Sequence, residues 1–149
     1  MKLRPARASD APAARRVIVA AYAPWRAKLD DLPDVTEGLA DDLAREGSVV
    51  AEENGMLRGV LITDVAKDAL QVQNIAVAPE AAGQGVGRAL MARAEEMAAD
   101  AGLSSLRLAT HRDMGPTRAF YDRLGWEVVG EEGNKVMMVR RLPSPGERQ

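Results

Sequence analysis

The chain of 149 residues has no cysteine. That excludes disulfides, thiol catalysis and thiolate metal sites. It has a single histidine, too few for a zinc site built from protein ligands alone, so no metal is expected. The formal charge of −2 gives no electrostatic case for nucleic acid or for an anionic membrane as a partner. No apolar run approaches a membrane span, and Met1-Lys-Leu-Arg-Pro5 lacks the apolar core of a signal peptide. These absences together suggest a soluble cytoplasmic protein. The length suits one domain with a real core, expected over residues 1–142, with a polar tail at 143–149.

What is present is organised around Val77-Ala-Pro-Glu-Ala-Ala-Gly-Gln-Gly-Val-Gly-Arg-Ala-Leu90. Leu70 to Val77 is apolar and β-branched, as a buried strand is. Val86, Leu90, Ala94, Met97 and Ala101 recur at helical spacing, and Gly102 stands where a helix would stop. Gly83, Gly85 and Gly87 alternate through the turn between the two. Glycine there permits positive φ and removes a Cβ that would hold a ligand off the backbone. The first N–H groups of a helix have no partner within it, and the helix dipole adds positive potential. A phosphate group fits such a place. A nucleotide P-loop is excluded, because Arg88-Ala89 follows Gly87 where Lys-Ser/Thr is needed. A dinucleotide fingerprint is also missing, since the spacing is Gly-x-Gly-x-Gly and Ser105 to Thr110 ends without a carboxylate. The residues alone leave open a phosphate site or simply a tight strand–helix turn.

The remaining chain is read in order. Leu3 to Ala6 is a short strand, followed by a helix capped by Ser9 or Asp10, with Ala14, Val17, Ile18, Ala21 and Tyr22 on its buried face. A loop is expected over residues 23–33. Asp34 and Glu37 then open a second helix with the stripe Val35, Leu39 and Leu43, ended by Gly47. Asn54-Gly55 between apolar runs signals a hairpin. A second reversal near Lys67-Asp68 makes three consecutive antiparallel strands. Leu106 to Thr110 is another strand, Pro116 to Leu124 a helix stopped by Gly125, and Trp126–Val129 with Val136–Val139 a closing hairpin around residues 130–134. The order is β-α-α-β-β-β-α-β-α-β-β.

This pattern resembles the GCN5-related N-acetyltransferase (GNAT) family over nearly the whole chain. Gly85 and Gly87 match the glycines of its acyl-CoA motif, Arg/Gln-x-x-Gly-x-Gly/Ala, while Ala82 stands at the lead position and lacks that side-chain contact. Ala119-Phe-Tyr-Asp-Arg-Leu-Gly-Trp126 is similar to the family's Tyr-x-x-x-Gly-Phe/Trp segment. The resemblance implies a mixed α/β fold with about four helices and a mostly antiparallel sheet, splayed at the strand before the glycine turn. It implies acetyl-CoA as co-substrate. Expected contacts come from Ile75, Ala76 and Val77, from the turn residues Ala82, Gly83, Gln84, Gly85, Val86, Gly87, Arg88 and Ala89, and from Thr117, Phe120 and Tyr121. A homodimer is compatible with the family's habits.

Acetyl transfer to an amine needs a neutral nucleophile, a polarised thioester and help for the leaving thiolate. By resemblance Tyr121 is the general acid; from position alone it reads as a packed ring. His111 has a suitable pKa for the base, although a lone His in a Thr-His-Arg-Asp loop is more often a surface residue. A water placed by Gln73 is the competing route to a base, because Gln73 and Asn74 stand where some family members carry a Glu. The family often has Asn seven residues before the tyrosine; here that residue is Met114. The acceptor wall is expected to include Tyr22, Trp25, Asp30 and Asp31, whose charge suits a small-molecule or peptide primary amine. The expected activity is N-acetylation by direct attack in a ternary complex. Two alternatives remain: an acyl-CoA-binding module without turnover, and a transferase of a longer acyl group.

Overall fold

The computed structural model describes residues 1–32 and 36–143. One sheet carries the fold. Its strands are β1 (Lys2–Pro5), β2 (Ser48–Glu53), β3 (Met56–Ala66), β4 (Ala69–Val77), β5 (Ser105–His111), β6 (Glu127–Glu132) and β7 (Lys135–Arg141), in spatial order β1-β2-β3-β4-β5-β7-β6. The helices are α1 (Ala11–Arg26), α2 (Leu39–Ala44), α3 (Val86–Asp100) and α4 (Gly115–Arg123). Order and type agree with the sequence reading. Among the described residues no helix is long and apolar enough to cross a membrane.

The β2–β3–β4 meander forms for local reasons. Asn54 and Gly55 both take positive φ, 53° and 77°, which a two-residue primed turn requires. Lys67 adopts φ 59° in the next two-residue turn. On β4, Ile62 pairs with Asn74 and Thr63 with Val72, so Gln73 is an extra residue in a β-bulge. The core is aliphatic: Ile18, Leu43, Leu61, Ile62, Leu90, Met91, Leu106 and Met138 are fully buried between sheet and helices.

Several boundaries differ from expectation. Helix α1 does not stop at Tyr22 but runs through Pro24 to Arg26. Proline removes one i→i−4 bond, and the helix survives because a single further turn follows, with Ala27 N–H bonded to Ala23 O. The last hairpin is tighter than residues 130–134 suggested. Its strands reach Glu132 and Lys135, with Gly130 paired to Met137 and Val129 the extra residue of a bulge. On α3, Met91 and Ala98 join the buried face, whereas Ala101 is exposed at the C-cap. Leu39 and Leu43 are buried as expected; the proposed Asp34 cap, Val35 and the tail beyond Pro143 lie outside the described residues.

Candidate active site

Strands β4 and β5 are parallel neighbours for only three residue pairs, Ala69↔Ser105, Leu70↔Leu106 and Gln71↔Arg107. Beyond them the strands part, and β5 continues paired to β7 alone as far as His111↔Lys135. The β5-facing edge of β4 from Val72 to Val77 is therefore left without a strand partner, with backbone groups that need hydrogen bonds. A cavity of about 490 Å³ fills the gap. Val72–Val77 and Leu108–His111 form its two sides; Tyr22 and Trp25 of α1, Asp31, Thr117 and Tyr121 of α4, Asn134 and Lys135 are among the residues that add to the wall.

Half of the expected residues thus meet at one place. Tyr22, Trp25, Asp31, Gln73, Ile75, Ala76, Val77, His111, Thr117 and Tyr121 all line the cavity. Asp30 is exposed and does not. Phe120 stands behind Tyr121, ring centroids 5.5 Å apart. The glycine turn, residues 82–89, follows Val77 through the single 3₁₀ turn Pro79–Ala81 and is outside the lining.

That turn has two kinds of glycine. Gly83 and Gly85 take φ of 79° and 82° with open space where a Cβ would stand, so backbone conformation is what selects glycine there. Gly87 is helical. A Cβ on it would lie 3.2 Å from Phe120 Cζ and 3.5 Å from Val77 Cγ2, so close packing selects it. Gln84 N–H is bonded to Ala81 O and Ala89 N–H to Gly85 O. Among the described residues no backbone carbonyl takes the N–H groups of Gly85, Val86, Gly87 or Arg88. Four donors at one helix mouth make a receptor for an anion.

Tyr121 is buried against Trp126, centroids 5.9 Å apart. Burial raises its phenol pKa well above the usual tyrosine range, and Tyr22 nearby adds to the shift. Burial also raises that of Tyr22. Both phenols are neutral donors at any ordinary pH.

His111 is buried rather than at the surface. Its Nδ1 accepts the Asp113 N–H at 3.1 Å, which puts the ring proton on Nε2. Nε2–H faces the Asp31 carboxylate, 2.9 Å from Oδ1 and 3.1 Å from Oδ2. Asn134 donates its amide to Oδ2 of the same carboxylate. These bonds, His111 first, hold the Asp31 carboxyl below its usual pKa. Both imidazole nitrogens are engaged, so His111 latches the segment after α1 to the β6–β7 turn. Gln73 points its amide oxygen to Arg45 Nη2 at 2.9 Å and is exposed.

Asn74 was passed over in favour of Gln73 by the sequence reading. The bulge turns it inward: it is 7 % exposed, lines the cavity, and among the described residues neither its Nδ2 nor its Oδ1 has a hydrogen-bond partner. A bulge leaves no reliable mark in a run such as Leu70-Gln-Val-Gln-Asn-Ile75. Asn134 was also missed, since only the turn geometry brings it to Asp31.

Comparison with known proteins agrees with the architecture. The sequence model of the Acetyltransferase (GNAT) family matches residues 15–126. No curated protein matches the chain by sequence. Among solved structures, the PaiA N-acetyltransferase of Thermoplasma acidophilum in complex with coenzyme A superposes with a TM-score of 0.78 at 18 % identity, over 95 % of this chain and 98 % of that one. The ribosomal-protein-S18-alanine N-acetyltransferase of Escherichia coli gives 0.78 at 22 %, over 99 % and 97 %. Ard1 of Thermoplasma volcanium gives 0.79 at 18 %, over 96 % and 98 %. At these identities the likeness establishes the fold, and the family match establishes membership: this chain belongs to the GNAT family of acetyltransferases.

Proposed function

We propose that the protein transfers an acetyl group from acetyl-CoA to a primary amine of a small molecule or peptide by direct attack, with residues 1–142 as the working unit. The observation that carries this is the parting of β4 from β5, which leaves an unpaired strand edge beside a helix mouth with four free N–H donors. A pantetheine chain offers amides that complete such an edge as an added strand. Ile75, Ala76 and Val77 would hold it, and Gly85 to Arg88 the diphosphate. Ala82 adds no side chain to this grip, so the backbone supplies it. Gly83 shapes the turn, Gln84 and Ala89 close it, and Arg88, exposed beside the donors, supplies a counter-charge. Thr117 and Phe120 position the α4 end of the site.

In the reaction the amine nitrogen bonds to the thioester carbon, the C–S bond breaks, and the amine's proton is lost as the sulfur gains one. Tyr121 is the donor to the leaving sulfur. A thiol ionises near ~8.5 and an unperturbed phenol near ~10, and burial widens that gap. Full transfer from phenol to thiolate therefore runs uphill. Tyr121 acts by hydrogen-bonding the developing thiolate, and the net proton comes from the amine. With both nitrogens of His111 engaged, water inside the cavity is the better first acceptor of that proton.

Thiol release from acetyl-CoA, measured across an amine panel beside Tyr121→Phe, tests this reading. CoA binding with turnover in the wild type and a large loss in the variant is the expected result. Binding without thiol release for any amine would make the protein a CoA-binding module. Faster turnover with longer acyl thioesters would change the group transferred.

A further inference from the structure

The Asp31 carboxylate combines features that a simple loop acid lacks. It is fixed by two side chains from other parts of the fold, His111 at the end of β5 and Asn134 in the β6–β7 turn. Asn134 is itself anchored, its carbonyl accepting the Arg112 N–H at 2.8 Å. Despite these bonds the Asp31 side chain remains 52 % exposed, and it lines the same cavity as Tyr121 and Val77. A carboxylate offers about four lone-pair directions. His111 and Asn134 use up to three, so one remains for a guest.

The charge of this group follows from the hydrogen bonds. Because Nδ1 of His111 accepts a backbone N–H, the ring carries its proton on Nε2 and is neutral. The cluster as a whole keeps the negative charge of Asp31. Asp113 adds a second carboxylate, 3.9 Å from His111 Nδ1. Lys135 is the opposing charge in the cavity wall. A carboxylate already oriented by neutral donors binds a cation without first losing side-chain freedom.

We propose that Asp31, held by His111 and Asn134, is the specificity-determining anchor for a second positive charge on the acceptor, which is a diamine, polyamine or other amine bearing a separate cationic group. This rests on the acetyl-transfer reading above. The reacting nitrogen must be neutral to attack, so the charge held at Asp31 belongs to another group of the same molecule. Asp31 thereby selects the acceptor, while the chemistry stays at the thioester beside Tyr121.

The test compares α,ω-diamines with monoamines of equal chain length in the thiol-release assay, using wild type and Asp31→Asn. Asparagine keeps the shape and can still accept from His111. In the wild type, kcat/KM should favour the best diamine over its matched monoamine by about tenfold or more, a free-energy difference of ~1.4 kcal/mol. Asp31→Asn should erase that preference through KM for the diamine, with the matched monoamine losing less than the diamine does. Lys135→Met should enlarge the preference, since it removes the repelling charge. CoA titration by calorimetry should give the same affinity in all three proteins. Equal losses for mono- and diamines in Asp31→Asn would mean that Asp31 serves the reacting nitrogen, and would overturn the proposal. So would a wild type with no preference, or one that turns over monoamines alone. A wild type that binds no CoA would instead remove the transferase reading itself.

Discussion

Gly87 packs against the tip of the Phe120 ring, and a single carbon added to it would stand 3.2 Å from Phe120 Cζ. Gly85, two residues earlier, has no atom within 4 Å of its missing Cβ, but its φ is 82°. The same motif therefore excludes side chains for two unrelated reasons. Gly85→Ala should cost about 1–2 kcal/mol of stability from left-handed backbone strain. Gly87→Val should cost about 1–3 kcal/mol from overpacking against Phe120 and Val77, and should weaken CoA binding at the adjacent donors. Urea unfolding of each variant beside a CoA titration separates the two effects.

Tyr121→Phe should lower thiol release by about 10²–10³-fold, the usual worth of one preorganised hydrogen-bond donor at a developing negative charge, with CoA affinity nearly unchanged. The phenol should also leave a mark on alkaline stability. Its folded pKa is raised, so the unfolded chain loses this proton first as pH rises. The contribution is intact below about pH 10 and declines above it. Thermal melts should therefore show less alkaline loss in the phenylalanine variant than in the wild type.

Arg4 grips Asp10 with two bonds of 2.9 Å, and Arg7 N–H adds a third at 2.8 Å. The Arg4 bond first, then Arg7, lowers the Asp10 pKa against the opposing effect of burial. A lowered carboxylate stabilises the fold above its unfolded pKa near ~3.9, and that support is lost as pH falls through the lower folded value. Asp10→Asn should reduce the urea midpoint at pH 7, where a hydrogen bond to a charged group is worth about 1.5–3 kcal/mol. The gap to wild type should narrow below about pH 4.

Asn74 carries two buried polar atoms without partners among the described residues, and an unsatisfied buried group costs about 1–3 kcal/mol. Leucine has nearly the same shape and no such need. Asn74→Leu should raise the melting temperature, and a drop in acetyl transfer alongside would mark the asparagine as kept for function. A lower melting temperature would show that the amide is satisfied in solution.

The fold was legible because local signals agreed with one another. Asn54-Gly55 set one hairpin, the stripe Val86–Leu90–Ala94 set α3, and Gly125 set the end of α4. Ile75, Val77 and Tyr121 were singled out by resemblance to the family, and the structure gathers them at the opened seam of the sheet. What escaped depended on distant partners or on one extra residue. The Gln73 bulge exchanges which of two neighbouring amides faces inward. The latch among Asp31, His111 and Asn134 joins residues about a hundred positions apart, which no periodicity encodes. The loop expected from residue 23 begins later, because α1 continues through Pro24 to Arg26, and the extra turn carries Trp25 into the cavity wall.

The three pairs joining β4 to β5 make this sheet two plates sharing a short hinge line. A thioester carrier threaded between them would act as an adhesive as well as a reagent. Amide hydrogens of residues 72–77 that face the gap should exchange slowly only when the carrier is present. Saturation at a hundred times the dissociation constant would add about 2.7 kcal/mol to the unfolding free energy. Bench lifetime and protease resistance should therefore depend on how much carrier survives purification.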